Sequence, residues 1–393
     1  MKNVIGNPAR GKNFFPRKSE VAKILRALNA GSNIQVVAPR RVGKTSILYH
    51  LLEVPNDDFI FVYADMQSVI SETEYYKVLL KSISKAEAIK KERTWFDQAK
   101  WSKNKFLKRI KSISILNGEM EFTEQSGIDY CEEFSDFIRG LDLGNRKLVL
   151  LVDEFPYAIL NILKHSKETE HEARNLLKSN RLIRQEPDLN DKLKLIYTGS
   201  IGLNSIVSKL DATALINDLI ALPVNPLSKK EAKDLVKLLL KTDCYTIEEI
   251  PLNHLLDKIQ WFIPFHLQLF INEVYNFHET PCEITSAMID KSIDALLLQR
   301  NKPYFEHYFS RLKEYYKGNE LKYALEILSI TATKNKIETS QIHDLAVKHK
   351  VQSYYKDIIE TLVYDGYINN SDDEDCYIFN SFIVKLWWKK YAS

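Results

Sequence analysis

The sequence has few cysteines, glycines and prolines, and it contains no long apolar run. Its four cysteines, at positions 131, 244, 282 and 376, are far apart and form no C-x-x-C pair, which argues against a disulfide framework and against a zinc site. Twelve glycines and twelve prolines leave no tract that resembles a low-complexity linker. The longest aliphatic runs, such as residues 148–152, are far shorter than the ~20 residues of a membrane-spanning helix. We therefore expect no membrane partner.

The charge balance is nearly even. Fifty-five lysines and arginines against 52 acidic residues give a net charge of +3, which is too small to imply a polyanionic partner by itself. Residues 1–12 contain basic side chains but no apolar segment, so we expect no secretory signal and predict a cytoplasmic location. A length of 393 residues predicts two or three domains.

Short hydrophobic runs alternate with helical patterns in the first part of the chain. Continuous runs of this kind are typical of strands that are buried on both faces. Their alternation with helices predicts a parallel sheet covered by helices. The runs lie at residues 34–37, 59–64, 147–152, 193–197 and, more weakly, 219–224.

The regularity lapses at about residues 84–126, which we interpret as an insertion on the first domain. Residues 110–115 and 119–122 alternate in character around Asn117 and Gly118. An Asn-Gly pair between alternating residues predicts a β-hairpin.

The strand signals stop after residue 226, and residues 228–300 have helical patterns. A second change comes near Lys302. Residues 321–393 then predict three helices followed by two short strands, an order typical of a winged helix-turn-helix. We therefore predict three domains, at residues 1–226, 227–302 and 303–393.

A basic loop with the pattern G-K-T follows the first predicted strand and precedes a helix, which is the context that a phosphate-binding loop requires. Gly43 permits close approach of the backbone to a phosphate, Lys44 would reach the β- and γ-phosphates of ATP, and the Thr45 hydroxyl would hold Mg²⁺. An ordinary basic turn before a helix is the simpler alternative. The predicted nucleotide-binding residues are Ala38, Pro39, Arg40, Arg41, Val42, Gly43, Lys44, Thr45 and Ser46.

Two adjacent carboxylates, Asp153 and Glu154, end the strand predicted at residues 147–152. Ligands of open α/β sheets bind at the carboxyl ends of the strands. Asp153 suits a role in holding Mg²⁺, and Glu154 suits a base that polarises the water attacking the γ-phosphate. A solvated strand end is the alternative.

The next predicted strand ends in Thr198, Gly199 and Ser200. Thr198 or Ser200 is a candidate for sensing the γ-phosphate or orienting water, and capping hydroxyls in a glycine turn are the alternative. Arg181 and Arg184, on the helix before this strand, are candidates for an arginine finger that offsets charge on the transferred phosphoryl group. Such arginines also occur on solvated helix faces and in structural ion pairs.

These motifs together resemble the archaeal-type AAA+ ATPases, a group close to the signal-transducing STAND ATPases. The P-loop match is close, although Ala38 stands in place of the first glycine and Pro16 replaces a glycine of the entry motif. Of the lid motif G-G-x-P, residues 260–264 keep only the proline. The matching segments are residues 14–20, 39–46, 152–155, 198–200 and 225–232.

The resemblance covers roughly residues 10–300 and, more loosely, the segment behind them. It implies an α/β fold, namely a parallel-sheet P-loop ATPase of the ASCE/AAA+ type followed by a helical lid and a winged helix-turn-helix domain. It also implies ATP and Mg²⁺ as cofactors and hydrolysis of ATP to ADP and phosphate. The oligomeric state is not determined by the sequence, and a homo-oligomer is compatible with it.

The C-terminal segment, residues 318–393, is where we expect a DNA or protein partner. Lys348, Lys350 and Lys356 are placed to meet phosphates, and Tyr354 and Tyr355 to stack or to donate hydrogen bonds. The predicted wing carries four carboxylates within residues 371–375, and these would repel a duplex. For the aromatic and basic terminus, residues 386–391, we favour packing against the winged helix.

Three functional hypotheses remain from the sequence. The first is a nucleotide-driven switch, in which ATP closes the lid and repositions the winged helix. The second is a DNA-binding regulator that uses ATP structurally with little turnover. The third is a scaffold with a degenerate nucleotide site, against which Lys44, Thr45, Asp153 and Glu154 argue.

Overall fold

The computed structural model describes residues 1–86, 113–116, 119–122, 127–165, 169–200, 202–278, 280–370 and 375–392. The chain divides into two compact units. The first unit contains residues 1–15, 38–43 and 225–393, and the second contains residues 16–37 and 44–224.

The second unit is built on a five-stranded sheet whose neighbouring strands are all parallel. Its strand order is β2-β5-β6-β1-β7, so β6 lies between β1 and β5. The predicted parallel sheet is confirmed, including the weak last strand. The strands are β1 (Ile34–Val37), β2 (Phe59–Asp65), β5 (Lys147–Asp153), β6 (Leu193–Tyr197) and β7 (Ile220–Pro223).

The central strands are apolar because helices cover them. In β5, the five residues from Leu148 to Val152 are fully buried, as expected for a strand between two helical layers. The helices of this unit are α1 (Lys18–Asn29), α2 (Lys44–Glu53), α3 (Glu72–Lys85), α4 (Tyr130–Gly140), α5 (Phe155–His165), α6 (Thr169–Gln185), α7 (Pro187–Asn190) and α8 (Leu203–Lys209).

Side-chain caps fix where two of these helices begin. The Ser71 hydroxyl accepts a hydrogen bond from the Glu74 N–H at the start of α3, and the Asp129 carboxylate accepts from the N–H groups of Cys131 and Glu132 at the start of α4. Such caps pair backbone donors that the helix leaves free.

The predicted hairpin is confirmed. Strands β3 (Ile113–Leu116) and β4 (Glu119–Phe122) pair antiparallel, with Ile113 opposite Phe122. Asn117, Gly118 and most of the predicted insertion lie outside the described residues.

The first unit continues after residue 225 with a run of helices. Helix α9 (Lys229–Thr242) begins with a capping box, in which Ser228 and Glu231 each accept a hydrogen bond from the other's N–H. Two short parallel strands, β8 (Thr246–Ile247) and β9 (Glu283–Ile284), accompany the helices. The helices are α9 (Lys229–Thr242), α10 (Glu249–Ile259), α11 (Pro264–Phe277), α12 (Ser286–Leu296) and α13 (Lys302–Tyr315).

The remaining elements form a three-stranded antiparallel sheet with four helices. The predicted order of three helices and two strands is observed, and the two-residue strand β10 and the last helix add to it. Four-residue and shorter strands carry little periodicity, which is why β10 has no sequence signal. The elements are α14 (Gly318–Lys334), β10 (Ile337–Glu338), α15 (Thr339–Lys348), α16 (Tyr355–Tyr364), β11 (Ile368–Asn369), β12 (Cys376–Phe379) and α17 (Phe382–Tyr391).

The terminal aromatic cluster packs inward, as the sequence predicts. Trp387 and Trp388 are almost fully buried, and Trp388 lies edge-on to the Tyr367 ring with centroids 6.3 Å apart. Most of the predicted wing, at residues 371–374, lies outside the described residues. Within the described ranges, no helix is both long enough and apolar enough to cross a bilayer.

Candidate functional site

The loop at residues 38–43 connects β1 to α2, and its backbone has an unusual conformation. Arg41 has a φ of 63° and Gly43 a φ of 104°. A Cβ at position 43 would meet no atom within 4 Å, so the conformation, and not a lack of space, requires glycine here. An arginine at positive φ is uncommon, and such backbone strain concentrates at functional sites.

Asp153, the last residue of β5, lies at the centre of a hydrogen-bond network in the second unit. Its Oδ2 accepts from the Thr45 hydroxyl at 2.9 Å and from the Tyr63 hydroxyl at 3.1 Å. Its Oδ1 accepts from the Thr198 hydroxyl and from the Glu154 N–H at 3.0 Å. The side chain is only 3% exposed, so these bonds replace the water that a carboxylate would otherwise bind.

The parallel sheet explains why these residues meet. Strands β2 and β5 pair with Asp65 beside Asp153, and Thr198 directly follows β6, where its N–H bonds the Val152 carbonyl at 2.9 Å. The carboxyl ends of parallel strands lie at one edge of the sheet. The first turn of α2 brings Thr45 to the same edge.

Glu154 has a distinct environment from its neighbour. Its φ is 55°, and its Oε2 accepts hydrogen bonds from the N–H and the hydroxyl of Ser200, both at 3.0 Å. Burial raises the pKa of Glu154 above 4.5, the charge of Asp153 raises it further, and the Ser200 hydrogen bonds and Lys44 act in the opposite direction. A buried carboxylate with a raised pKa has one property of a general base.

The structure places both candidate sensor hydroxyls on the acidic pair. Thr198 donates to Asp153, and Ser200 donates to Glu154. Neither hydroxyl merely caps a glycine turn in this arrangement. Both hydrogen bonds restrict the orientation of the two carboxylates.

The arginine-finger expectation for Arg184 does not fit the structure. Its side chain is 1% exposed, and its Nε and Nη2 donate to the two carboxylate oxygens of Asp218 at 2.7 and 2.8 Å. The guanidinium also donates to the Leu215 carbonyl at 2.7 Å and to the Tyr197 hydroxyl at 3.2 Å. A buried guanidinium that donates to a carboxylate, a carbonyl and a hydroxyl forms a structural ion pair. Arg181 donates to the Asn217 side chain at 3.0 Å.

In the first unit, the residues of the loop meet aromatic side chains. The Arg41 guanidinium stacks 3.8 Å above the centroid of the Phe265 ring. This is an attractive cation–π contact. Burial and the charge of Arg41 lower the pKa of His266 to about 3, so this histidine is neutral. A Cβ at Gly366, whose φ is +80°, would lie 2.6 Å from the Trp261 ring and 3.0 Å from Pro39.

One of the three predicted lysines of the C-terminal segment is paired with a carboxylate. The Lys348 ammonium bonds both oxygens of the Glu326 carboxylate, at 2.7 and 2.9 Å, and His349 contacts the same group at 2.6 Å. Lys350 and Lys356 are exposed. The positive charge of Lys348 is thus offset by Glu326.

Sequence reasoning missed Tyr63 and its ring partner Tyr49. The apolar run that contains Tyr63 predicts a buried strand, and in such a run a tyrosine has the appearance of core. The signal that was available is its position two residues before Asp65, which places both side chains on one face of β2.

No protein-family model matches the chain, and no curated protein matches it. Solved structures do. A Walker-type ATPase of Pyrococcus abyssi superimposes with a TM-score of 0.67 at 18% identity, over 98% of this chain and 99% of that one. The ORC2 protein of Aeropyrum pernix, solved in complexes with ADPNP and ADP, superimposes with a TM-score of 0.51 at 11% identity, over 100% and 98% of the two chains.

These likenesses extend over nearly the whole of each chain, and at such low identity they concern the fold. The five-stranded parallel sheet with its helices is the fold of the AAA+ P-loop ATPases. The predicted α/β fold class is therefore confirmed.

Proposed function

We propose that this chain binds ATP with Mg²⁺ and hydrolyses it to ADP and phosphate. The observation that carries the proposal is the hydrogen bond from Thr45, in the first turn of α2, to Asp153, at the end of β5. It joins the residue after the G-K pair to the first residue of the acidic pair, at the sheet edge where ligands bind.

The triphosphate is held by residues 38–46 in this proposal. Backbone N–H groups of the loop and the positive end of the α2 dipole favour phosphate oxygens. Lys44 supplies the charge facing the β- and γ-phosphates. Arg40 and Arg41 lie in the same loop, and the Arg41 side chain stacks on Phe265.

Thr45 and Asp153 fit Mg²⁺ in their chemistry. Both offer oxygen atoms, the ligands that Mg²⁺ prefers, and Mg²⁺ commonly uses one or two protein groups together with substrate phosphates and water. Among the described residues there is no group of three or more His, Cys, Asp or Glu side chains that would hold a metal alone. When bound, the ion neutralises charge on the phosphates.

Glu154 is the base that we assign to the attacking water. Its pKa is raised by burial, which strengthens it as a proton acceptor. The N–H and hydroxyl of Ser200 fix the orientation of its carboxylate. A fixed carboxylate beside the γ-phosphate orients the water without a cost of reorganisation during the reaction.

The wider role that we propose is a nucleotide-driven switch of the archaeal AAA+ type, related to the STAND ATPases. We assign residues 1–226 to the ATPase domain, residues 227–302 to a helical lid and residues 303–393 to a winged helix-turn-helix. The three-stranded antiparallel sheet among helices α14 to α17 supports the last assignment. A DNA or protein partner is expected at residues 318–393, in a cytoplasmic protein.

Nucleotide binding is tested by calorimetry with Mg-ATP on the full chain. Lys44→Ala removes the charge that faces the β- and γ-phosphates, and we expect the affinity to fall strongly. Lys18→Ala, on the exposed face of α1, is the matched control and should bind like wild type. Equal affinity of wild type and a folded Lys44→Ala variant would overturn the phosphate-loop assignment.

Turnover separates the switch from the regulator that uses ATP structurally. Release of phosphate is followed with and without duplex DNA. Multiple turnovers per chain support the ATPase, and binding with at most one turnover favours the regulator.

A further inference from the structure

Tyr63 is a half-buried tyrosine of β2, and its hydroxyl donates a hydrogen bond to the Asp153 carboxylate. The distance from the Tyr63 hydroxyl to Asp153 Oδ2 is 3.1 Å. Strands β2 and β5 pair with Tyr63 beside Leu151 and Asp65 beside Asp153. Residues two apart in a strand share a face, so Tyr63 reaches Asp153 diagonally across the same face of the sheet.

A second aromatic ring fixes the direction of the phenol. The Tyr49 and Tyr63 rings are stacked, with centroids 4.9 Å apart and an interplanar angle of 26°. Tyr49 follows Thr45 by four residues in α2, and residues at this spacing lie on one face of a helix. One face of α2 therefore presents both the Thr45 hydroxyl and the ring that packs against Tyr63.

Thr45 and Tyr63 donate to the same oxygen, Asp153 Oδ2. The two bonds approach from α2 and from β2, and Thr198 holds the other oxygen from β6. Removing the Tyr63 hydroxyl would leave Oδ2 with Thr45 as its donor from these elements. The Thr45 hydroxyl is also the group that the proposed function assigns to Mg²⁺.

We propose that Tyr63 is a positioning residue for magnesium, which holds the Asp153 carboxylate in the orientation that Mg²⁺ requires and leaves the Thr45 oxygen available to the ion. This inference rests on the proposed function. The Tyr63 hydroxyl is the donor of its bond to Asp153. Partners of this kind behind a metal ligand commonly change metal affinity 10- to 100-fold.

A structural role is the competing explanation, since buried tyrosines need a hydrogen-bond partner. Tyr75 is such a case, because its hydroxyl donates to the core amide of Asn180 at 2.7 Å. The two roles differ in one measurable respect. A structural tyrosine affects nucleotide binding equally with and without metal, whereas a positioning tyrosine affects the metal-dependent part.

The test compares Tyr63→Phe with Tyr75→Phe in the full chain. Each change removes one tyrosine hydroxyl and keeps its ring, and only the first removes a donor to Asp153. Affinity for a non-hydrolysable ATP analogue is measured by calorimetry over a series of Mg²⁺ concentrations and in EDTA. Thermal unfolding without nucleotide confirms that each variant is folded.

For Tyr63→Phe we expect a change in the Mg²⁺ concentration that gives half of the maximal gain in affinity for the analogue. This concentration should rise about tenfold, while the affinity in EDTA stays unchanged. Tyr75→Phe should match wild type in both measurements. A Mg²⁺ midpoint of Tyr63→Phe equal to wild type would overturn the inference, and so would an equal loss of affinity in EDTA and in Mg²⁺. A wild-type chain that binds the analogue under neither condition would instead refute the proposed function itself.

Discussion

Ser200 donates two hydrogen bonds to Glu154, one from its N–H and one from its hydroxyl, and both end on the same carboxylate oxygen at 3.0 Å. Ser200, in the turn that follows β6, thus constrains the orientation of Glu154, the residue after β5. Both bonds stabilise the ionised carboxylate, which opposes the effect of burial on its pKa.

The role of Glu154 as base is separable from nucleotide binding. Glu154→Gln keeps the size of the side chain and removes the negative charge, so we expect ATP to bind while hydrolysis falls by about 10²-fold or more. Phosphate release and calorimetry on the same preparation measure the two effects. The exposed Glu248→Gln is the control. Turnover of Glu154→Gln at the wild-type rate would show that the base lies elsewhere.

The pH profile of turnover should report the raised pKa of Glu154. A base must be ionised, so kcat is expected to fall as the pH drops through that pKa, at a higher pH than an ordinary glutamate with a pKa of 4.5 would give. Ser200→Ala removes one of the bonds that favour the ionised form and should move this acid limb to higher pH.

Ser208→Ala, on the exposed end of α8, is the matched control for that profile. The profile of Ser208→Ala should coincide with that of wild type at constant ionic strength. If the acid limb of Ser200→Ala lies at the same pH as that of wild type, Ser200 does not affect the pKa of Glu154.

Arg184 is expected to matter for stability. Arg184→Ala leaves the Asp218 carboxylate, the Leu215 carbonyl and the Tyr197 hydroxyl without their donor, and we expect a loss of about 3 kcal/mol in the free energy of unfolding. Urea unfolding measures it. Arg181→Ala, which removes a bond to a neutral amide, should cost less than about 1 kcal/mol. A stable Arg184→Ala variant with turnover reduced 100-fold would restore the arginine-finger role.

Duplex binding, where it occurs, should be weak and sensitive to salt. Lys350 and Lys356 are exposed, so replacing either with alanine should reduce the slope of log K against log salt by about one. Lys348→Ala should change it less, because Glu326 already pairs with Lys348. A salt titration of the full chain by fluorescence anisotropy tests this. Tight duplex binding that none of the three substitutions weakens would refute the assignment of these lysines to phosphate contacts.

Local chemistry in the sequence was sufficient for the sheet and for the acidic pair. The runs that became β2, β5 and β6 are apolar because both faces are covered, and that property is written in each segment by itself. G-K-T after a strand likewise needs only its own neighbours to be recognised. For this reason the fold class and the positions of Lys44, Thr45, Asp153 and Glu154 at strand and helix ends were predictable.

The partners of these residues were decided by tertiary structure. Thr45 and Asp153 are 108 positions apart, and Tyr63 and Asp153 are 90 apart. Hydrogen-bond geometry between them depends on strand order and register, which place β2 next to β5 and β6 between β5 and β1. The same dependence made a structural ion pair of Arg184, since Asp218 reaches it from 34 positions away. A residue's type and its neighbours in sequence state what it can bond, and only packing determines which of those bonds it makes.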